Sequence, residues 1–153
     1  MIKAEDLRIG DLVRVSNDNC MIPKGAICEV VAIDSERSYE DKKGIAGLLQ
    51  TDREEWEFSH GVWCDGIEGI TITPEILEKN GWSKRHDGSS SCDIYSKGKG
   101  SFHVRLEQCI YKKQEGFDFA VGDSTYRFGN KIEHVHELQH ILWALGKDAN
   151  LKI

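Results

Sequence analysis

The sequence predicts an α+β protein in which a small N-terminal β-barrel is followed by an antiparallel β-meander packed on a C-terminal helix. Three observations carry this prediction. The first 72 residues contain several short β-branched runs separated by turns. Residues 93–128 contain further short runs with glycines between them, as in a meander. Residues 132–145 instead repeat apolar side chains at helical spacing.

The barrel prediction rests on the N-terminal strand candidates. Leu12–Val15 follows a turn at Gly10, and residues 27–33 follow a second turn at Gly25. Residues 34–44 are almost all polar, and we expect them to form an exposed, mobile loop. Weaker strand candidates lie at residues 46–50, 56–58 and 68–72.

A short helix is predicted immediately after the barrel. Thr73 can accept hydrogen bonds from the first backbone N–H groups, and Pro74 fits the first helical position because its missing N–H is not needed there. Gly81 can supply the left-handed residue that ends the helix. We therefore place a boundary here. Residues 1–72 form the barrel, and residues 73–153 form either a second domain or part of one continuous unit.

The predicted meander occupies most of the second part. Its short strand candidates are residues 93–96, 102–106, 109–113, 117–121 and 125–128. Gly116, Gly122 and the pair Gly129-Asn130 fall in the gaps. Glycine and asparagine at such positions are typical of hairpin turns, so we expect the strands to pair antiparallel.

The last helix is the best supported element. Its apolar positions recur at helical spacing: Ile132, Val135, Leu138, Ile141, Leu142 and Leu145. Asn130 is a suitable N-cap, and Glu133 three residues later completes a capping-box pattern. Gly146 can adopt the left-handed conformation that commonly ends a helix.

The side of this helix opposite the apolar stripe is the predicted interaction face. At about 100° per residue, His136 and His140 fall about 160° from the direction of Leu138, where a solvated face is expected. Trp143 shares that side, and a tryptophan there suggests that something covers it. We therefore predict an interaction face of His136, His140 and Trp143, with an unknown protein or a second copy of the chain as its partner.

Residues 136–140 spell HExxH, the one short motif here that carries chemistry. On a helix, His136 and His140 could bind zinc, and Glu137 could act as general base toward a zinc-bound water. Catalytic zinc needs a third protein ligand, yet no His, Glu or Cys follows His140. The ligand would have to be an upstream carboxylate or one of His60, His86 and His103. We therefore predict no catalytic residue and no cofactor, with zinc as the alternative.

Composition disfavours several classes of protein. No apolar run approaches the roughly 20 residues of a membrane span, and the first residues lack the apolar core of a signal peptide. The five cysteines are widely spaced without a C-x-x-C pair, which favours reduced thiols in a cytoplasmic protein over a disulfide framework. Residues 1–75 contain 8 Lys and Arg against 16 Asp and Glu, which disfavours binding to nucleic acid.

Two stretches near the start are similar to a known fold. Residues 7–15 and 24–31, Leu-Arg-Ile-Gly-Asp-Leu-Val-Arg-Val and Lys-Gly-Ala-Ile-Cys-Glu-Val-Val, resemble the opening of SH3-like small barrels of the KOW or Tudor kind. This resemblance implies a fold and no particular function.

A second resemblance covers about a third of the chain. Residues 7–13, 67–82 and 132–145 resemble a family of small proteins of Bacteroides-type genomes, often carried by prophages or conjugative elements. That family typically ends in V-H-x-L-Q and an aromatic-rich helix, a pattern matched by His136, Leu138 and Gln139. His140 departs from the family pattern, which disfavours a zinc site further. The resemblance implies no known activity.

Three functions follow from these observations. The first is a non-enzymatic accessory or protein-interaction protein of the bacterial cytoplasm, of mobile-element origin. The second is a zinc-dependent hydrolase that uses the HExxH motif. The third, least favoured because of the acidic first half, is a nucleic-acid-binding module built on the small barrel.

Overall fold

The computed structural model describes residues 2–18, 21–52, 60–86, 92–98, 103–109, 116–122 and 128–153. The chain divides into two compact units, Met1–Ile70 and Thr71–Ile153. Each unit contains an antiparallel five-stranded sheet, and two α-helices lie in the second. This arrangement confirms the α+β class. None of the described helices is long and apolar enough to cross a membrane.

The first unit is built on one antiparallel sheet. Its strands are β1 (Leu12–Val15), β2 (Ile27–Tyr39), β3 (Lys42–Gln50), β4 (His60–Trp63) and β5 (Ile67–Gly69). They lie in the order β4-β3-β2-β1-β5. Among the described residues the sheet is open, with β4 and β5 at its edges, so closure into a barrel stays a prediction. Among its described residues the unit also has 3-10 turns at Ala4–Asp6 and Cys64–Gly66.

Most of residues 34–44 are exposed as predicted, but they form strands rather than the expected mobile loop. β2 continues to Tyr39, the chain turns at Glu40 with a positive φ of 55°, and β3 begins at Lys42. The outer part of β2 is exposed on both faces, so it has no apolar alternation to reveal a strand. β2 pairs with β3 up to Asp34 and again at Ser38 and Tyr39, and between these points the Arg37 N–H donates to Asp34 Oδ1 at 3.1 Å. The candidate strand at 56–58 lies outside the described residues.

Alternate side chains of the inner strands form the core of the first unit. Val13 and Val15 of β1, Cys28 and Val30 of β2 and Leu48 of β3 are completely buried. Their spacing of two residues is the period that places side chains on one face of a sheet. The apolar alternation visible in the sequence therefore corresponds to the buried face.

The second unit contains the meander and both helices. Its elements are α1 (Pro74–Lys79), β6 (Ser83–His86), β7 (Cys92–Lys97), β8 (Val104–Cys109), β9 (Phe117–Val121), β10 (Phe128–Ile132) and α2 (Val135–Ala144). The strands lie in sequential order with antiparallel partners, as predicted. β6 was not predicted, and Gly129-Asn130 lies within β10 rather than in a turn. Residues 102, 110–113 and 125–127 of the predicted strands lie outside the described residues.

Helix α1 has the predicted ends. The Thr73 hydroxyl oxygen accepts a hydrogen bond from the Ile76 backbone N–H at 3.3 Å, and Pro74 is the first helical residue. After the helix, Gly81 adopts a φ of 77°, and the Trp82 N–H donates to the Leu77 carbonyl at 3.0 Å. A helix of this length is marginal alone, so these end contacts and burial of Leu77 stabilise it.

Asn80 joins α1 to the segment at residues 147–153. Its side-chain nitrogen donates to the Lys152 carbonyl at 2.8 Å, and its side-chain oxygen accepts from the Lys152 N–H at 2.8 Å. The same nitrogen also donates to the Ile76 carbonyl at the end of α1. Leu151, the residue before Lys152, is buried, so residues 147–153 are part of the packed second unit.

We expect Asn80→Ala to lower the free energy of unfolding by about 1–2 kcal/mol, because alanine cannot replace the paired hydrogen bonds to Lys152. Urea unfolding followed by circular dichroism measures this change. Glu78→Ala is the matched control, since Glu78 is an exposed residue of the same helix. Equal stability of the two variants would contradict the proposed role of Asn80.

Candidate functional site

The HExxH motif lies in the first two turns of α2, which starts later than the sequence predicted. The helix begins at Val135 with His134 as its N-cap, and Asn130 belongs to β10. The predicted capping box of Asn130 and Glu133 is therefore wrong. β10 remains paired with β9 up to Ile132, which lies opposite Phe117, so the backbone stays extended past the expected start.

Two further contacts hold the chain extended before α2. The Ile72 N–H donates to the Glu133 carbonyl at 2.9 Å, and Thr71 forms an isolated antiparallel bridge with His134. These contacts use the backbone of residues that a helix starting at 131 would have required. They place the start of α2, and with it the motif, directly beside the segment that leads into α1.

Glu137 caps its own helix. Its Oε2 atom accepts hydrogen bonds from the backbone N–H groups of Glu133 at 2.8 Å and His134 at 2.9 Å. Nδ1 of His134 lies 3.6 Å from the same oxygen. A carboxylate in this position also interacts favourably with the positive end of the helix dipole. The residue that would be the general base of a zinc hydrolase thus has a structural function.

Three imidazole rings lie in a row along the start of α2. The His134 and His136 rings are stacked with centroids 5.6 Å apart, and the His136 and His140 rings meet edge to face at 5.9 Å. The structure therefore brings the two histidines of the motif together, and it adds His134. In contrast, no group of three His, Cys, Asp or Glu side chains within the described ranges is arranged to hold a metal ion.

The expectation that His136 lies on a solvated face is wrong. His136 is only 4% exposed, and Gln139 on the adjoining side of the helix is also buried. The segment after the helix explains part of this burial, because Gln139 Nε2 donates to the Ala149 carbonyl at 3.2 Å. Helical periodicity located the apolar stripe, but it could not show that a later segment returns along another side of the helix.

Trp143 is the exposed member of the predicted interaction face. It lies seven residues after His136, so both point to nearly the same side of α2, about two turns apart. Yet Trp143 is 68% exposed, while His140 is half-buried. On this side of α2, burial therefore depends on the position of a residue along the helix axis. The first turns of the helix are covered, and the last turn is exposed. Leu145, at the C-cap, is 41% exposed beside it in sequence.

The other candidate zinc ligands lie on separate elements. His60 begins β4 in the first unit, His86 ends β6, and His103 precedes β8.

Comparisons of the chain with protein-family models, characterised proteins and solved structures give no match. Functional interpretation therefore depends on the geometry of α2 and its surroundings.

The capping role of Glu137 was the functional feature that sequence reasoning missed. Glu137 follows His134 by three residues, which is the spacing of a capping box. Histidine is not among the preferred N-cap residues, however, whereas Asn130 is. The sequence therefore favoured the wrong pair, and only the strand pairing of β10 distinguishes them.

We expect Glu137→Ala to lower the free energy of unfolding by about 1 kcal/mol, because it removes the acceptor for the backbone N–H groups of Glu133 and His134. Thermal or urea unfolding checks this value. Glu78→Ala, an exposed glutamate of α1, serves as the control and should change stability by less than about 0.5 kcal/mol. An unchanged stability for Glu137→Ala would return this carboxylate to the list of candidate bases.

We also expect untagged protein to hold well under one zinc ion per chain, because a catalytic zinc needs three protein ligands and no such group of three is arranged to hold a metal ion in the part of the chain that the structure describes. Elemental analysis after dialysis measures the stoichiometry. One zinc per chain that is lost in His140→Asn and retained in His60→Asn would contradict this expectation and support the hydrolase alternative.

Proposed function

We propose that the chain is a non-enzymatic accessory protein of the bacterial cytoplasm that binds another protein through the end of α2. The observation that carries this proposal is the 68% exposure of Trp143. Tryptophan offers more apolar surface than any other side chain, and its burial dominates many protein interfaces. A tryptophan held on a short rigid helix, rather than on a loop, is well suited to such a contact.

The surroundings of Trp143 support an interaction role. Ala144 and Leu145 continue the exposed apolar surface, while Leu138 and Leu142 anchor the other side of the helix in the core. The helix end is capped by the Lys147 N–H, which donates to the Leu142 carbonyl at 2.8 Å. The apolar tip therefore sits on a backbone that is already ordered, which reduces the entropy lost on binding.

We also propose that the sheet of the first unit closes into an SH3-like barrel, and the irregular pairing of β2 supports this. β2 has 13 residues and pairs on its two sides with β1 and β3. Its pairing with β3 shifts register twice, between Val30 and Ala32 and between Asp34 and Ser38. Such irregularities bend a strand and increase twist, as closure of a small sheet requires. The proposed mobile-element origin rests separately on the sequence resemblance to the Bacteroides-type proteins.

The zinc hydrolase is retained as a second candidate because of one observation. His136 and His140 lie one helical turn apart with ring centroids 5.9 Å from each other, and this is the spacing at which two imidazoles of one helix can bind a zinc ion. The nucleic-acid module receives no comparable support. The only ion pair of Lys84 that the structure describes is with Asp93, at 2.8 Å, which reduces the positive charge available on the edge strand β6.

The experiment compares wild type with Trp143→Ala, using a second copy of the chain as the first partner. We expect wild type to self-associate with rising concentration in sedimentation velocity, or to retain a bacterial protein in stoichiometric amount on an immobilised column. We expect Trp143→Ala to weaken either interaction at least tenfold, as loss of a central aromatic contact does.

Ile9→Ala is the matched control, because Ile9 is an equally exposed apolar residue in the first unit. It should leave the interaction unchanged. A wild-type chain that stays monomeric at all concentrations and retains the same proteins as Trp143→Ala would overturn the proposal. Circular dichroism of each variant shows that the fold is intact, as expected for substitutions of exposed side chains.

A further inference from the structure

Two cysteines lie directly opposite each other on adjacent strands of the sheet in the second unit. Cys92 begins β7 and Cys109 ends β8, and their Cα atoms are direct partners in the antiparallel register. Both residues are half-buried rather than buried. Neither takes part in a disulfide. The pair is the first rung of the β7–β8 ladder, opposite the end where residues 98–103 connect the strands.

The geometry of an antiparallel pair is suited to a disulfide at this position. Directly opposite residues have Cα atoms about 4.5–5.5 Å apart, inside the range of about 4.4–6.8 Å that a disulfide spans. Their Cβ atoms point to the same face and are about 4.5–5.5 Å apart, against about 3.5–4.5 Å in a disulfide. Closure therefore needs side-chain rotation and a shift of about 1 Å or less.

The other described cysteines are placed very differently. Cys28 is completely buried opposite Val13 and Gln50, and burial, with a smaller effect of Asp52, raises the pKa of its thiol to about 11. Burial and, secondarily, Asp65 also raise the pKa of the Cys64 thiol. Because the thiolate is the nucleophile, both should react slowly, and neither faces another described cysteine. Cys20 lies outside the described residues.

We propose that Cys92 and Cys109 are a redox-modification site. A low-molecular-weight disulfide such as oxidised glutathione oxidises the two thiols, and the product is a reversible intramolecular disulfide between them. One thiolate attacks oxidised glutathione, forming a mixed disulfide and releasing one glutathione thiolate. The second thiolate attacks the protein sulfur of that mixed disulfide and releases the second glutathione. The two cysteines lose two electrons, oxidised glutathione gains them, and the two thiol protons pass to the released thiolates.

The position of the bond determines its effect on the protein. The connection 98–103 already joins β7 and β8 at one end, and the disulfide would join their other ends. Such a closed loop restricts the unfolded chain and stabilises the folded hairpin. We therefore expect oxidation to raise the Tm by about 5 °C or more, and reduction with excess dithiothreitol to reverse the change.

The test uses the full chain and a Cys20→Ser variant, which removes the thiol outside the described residues. Each is incubated with millimolar oxidised glutathione, alkylated and digested for mass spectrometry. We expect a mass loss of about 2 Da and one linked peptide pair that joins Cys92 to Cys109. Cys28 and Cys64 should be alkylated only after denaturation.

Cys92→Ser and Cys109→Ser provide the controls, since serine preserves size and the half-buried position tolerates a hydroxyl. Each should abolish the linked pair and the rise in Tm. Three results would overturn the proposal: lasting glutathione adducts on separate cysteines, a different or intermolecular pairing, and thiols that stay reduced. The wild-type result alone decides between these outcomes, so a variant that folds poorly does not affect the conclusion.

Discussion

The start of α2 is the constraint on which the second unit depends. The Ile72 N–H bonds to the Glu133 carbonyl, and Thr71 bridges to His134, so the backbone must stay extended up to His134. The helix can then begin only at Val135, and Glu137 in its first turn accepts hydrogen bonds from the backbone N–H groups of Glu133 and His134. The same contacts connect the entry of α1 to the entry of α2, although more than 50 residues of sequence separate them.

The ends of the helices could be predicted wherever a short segment of sequence determines its own structure. Thr73, Pro74 and Gly81 define α1 without reference to the rest of the chain, and Gly146 likewise marks the end of α2 with a φ of 63°. The outer part of β2 could not be predicted as a strand, since its polar side chains face water on both sides and show no apolar alternation. The capping box was misplaced for a related reason: strand pairing with Phe117 overrides the good N-cap chemistry of Asn130.

The candidate site shows the same division between local and distant effects. Helical spacing correctly places His136 and His140 one turn apart, and their rings do meet. Their burial depends on residues outside the helix, among them the segment that brings the Ala149 carbonyl to Gln139. A helical wheel gives direction around the axis and no information about what covers each turn. Hence His136 and Trp143 share a side of the helix and differ completely in exposure.

A motif therefore needs its hydrogen bonds as well as its spacing before a function follows. In a metal site the Glu of HExxH deprotonates the zinc-bound water, and here Oε2 of that residue accepts hydrogen bonds from two backbone N–H groups and caps the helix. The cysteines show the opposite case, in which residues without a sequence motif are brought together by the fold. No sequence motif connects Cys92 and Cys109, which lie 17 positions apart, yet the register of β7 and β8 makes them direct partners. Where pairing across a sheet creates a reactive site, the chemistry becomes visible only once the register is known, because a shift by one residue would put the two thiols on opposite faces.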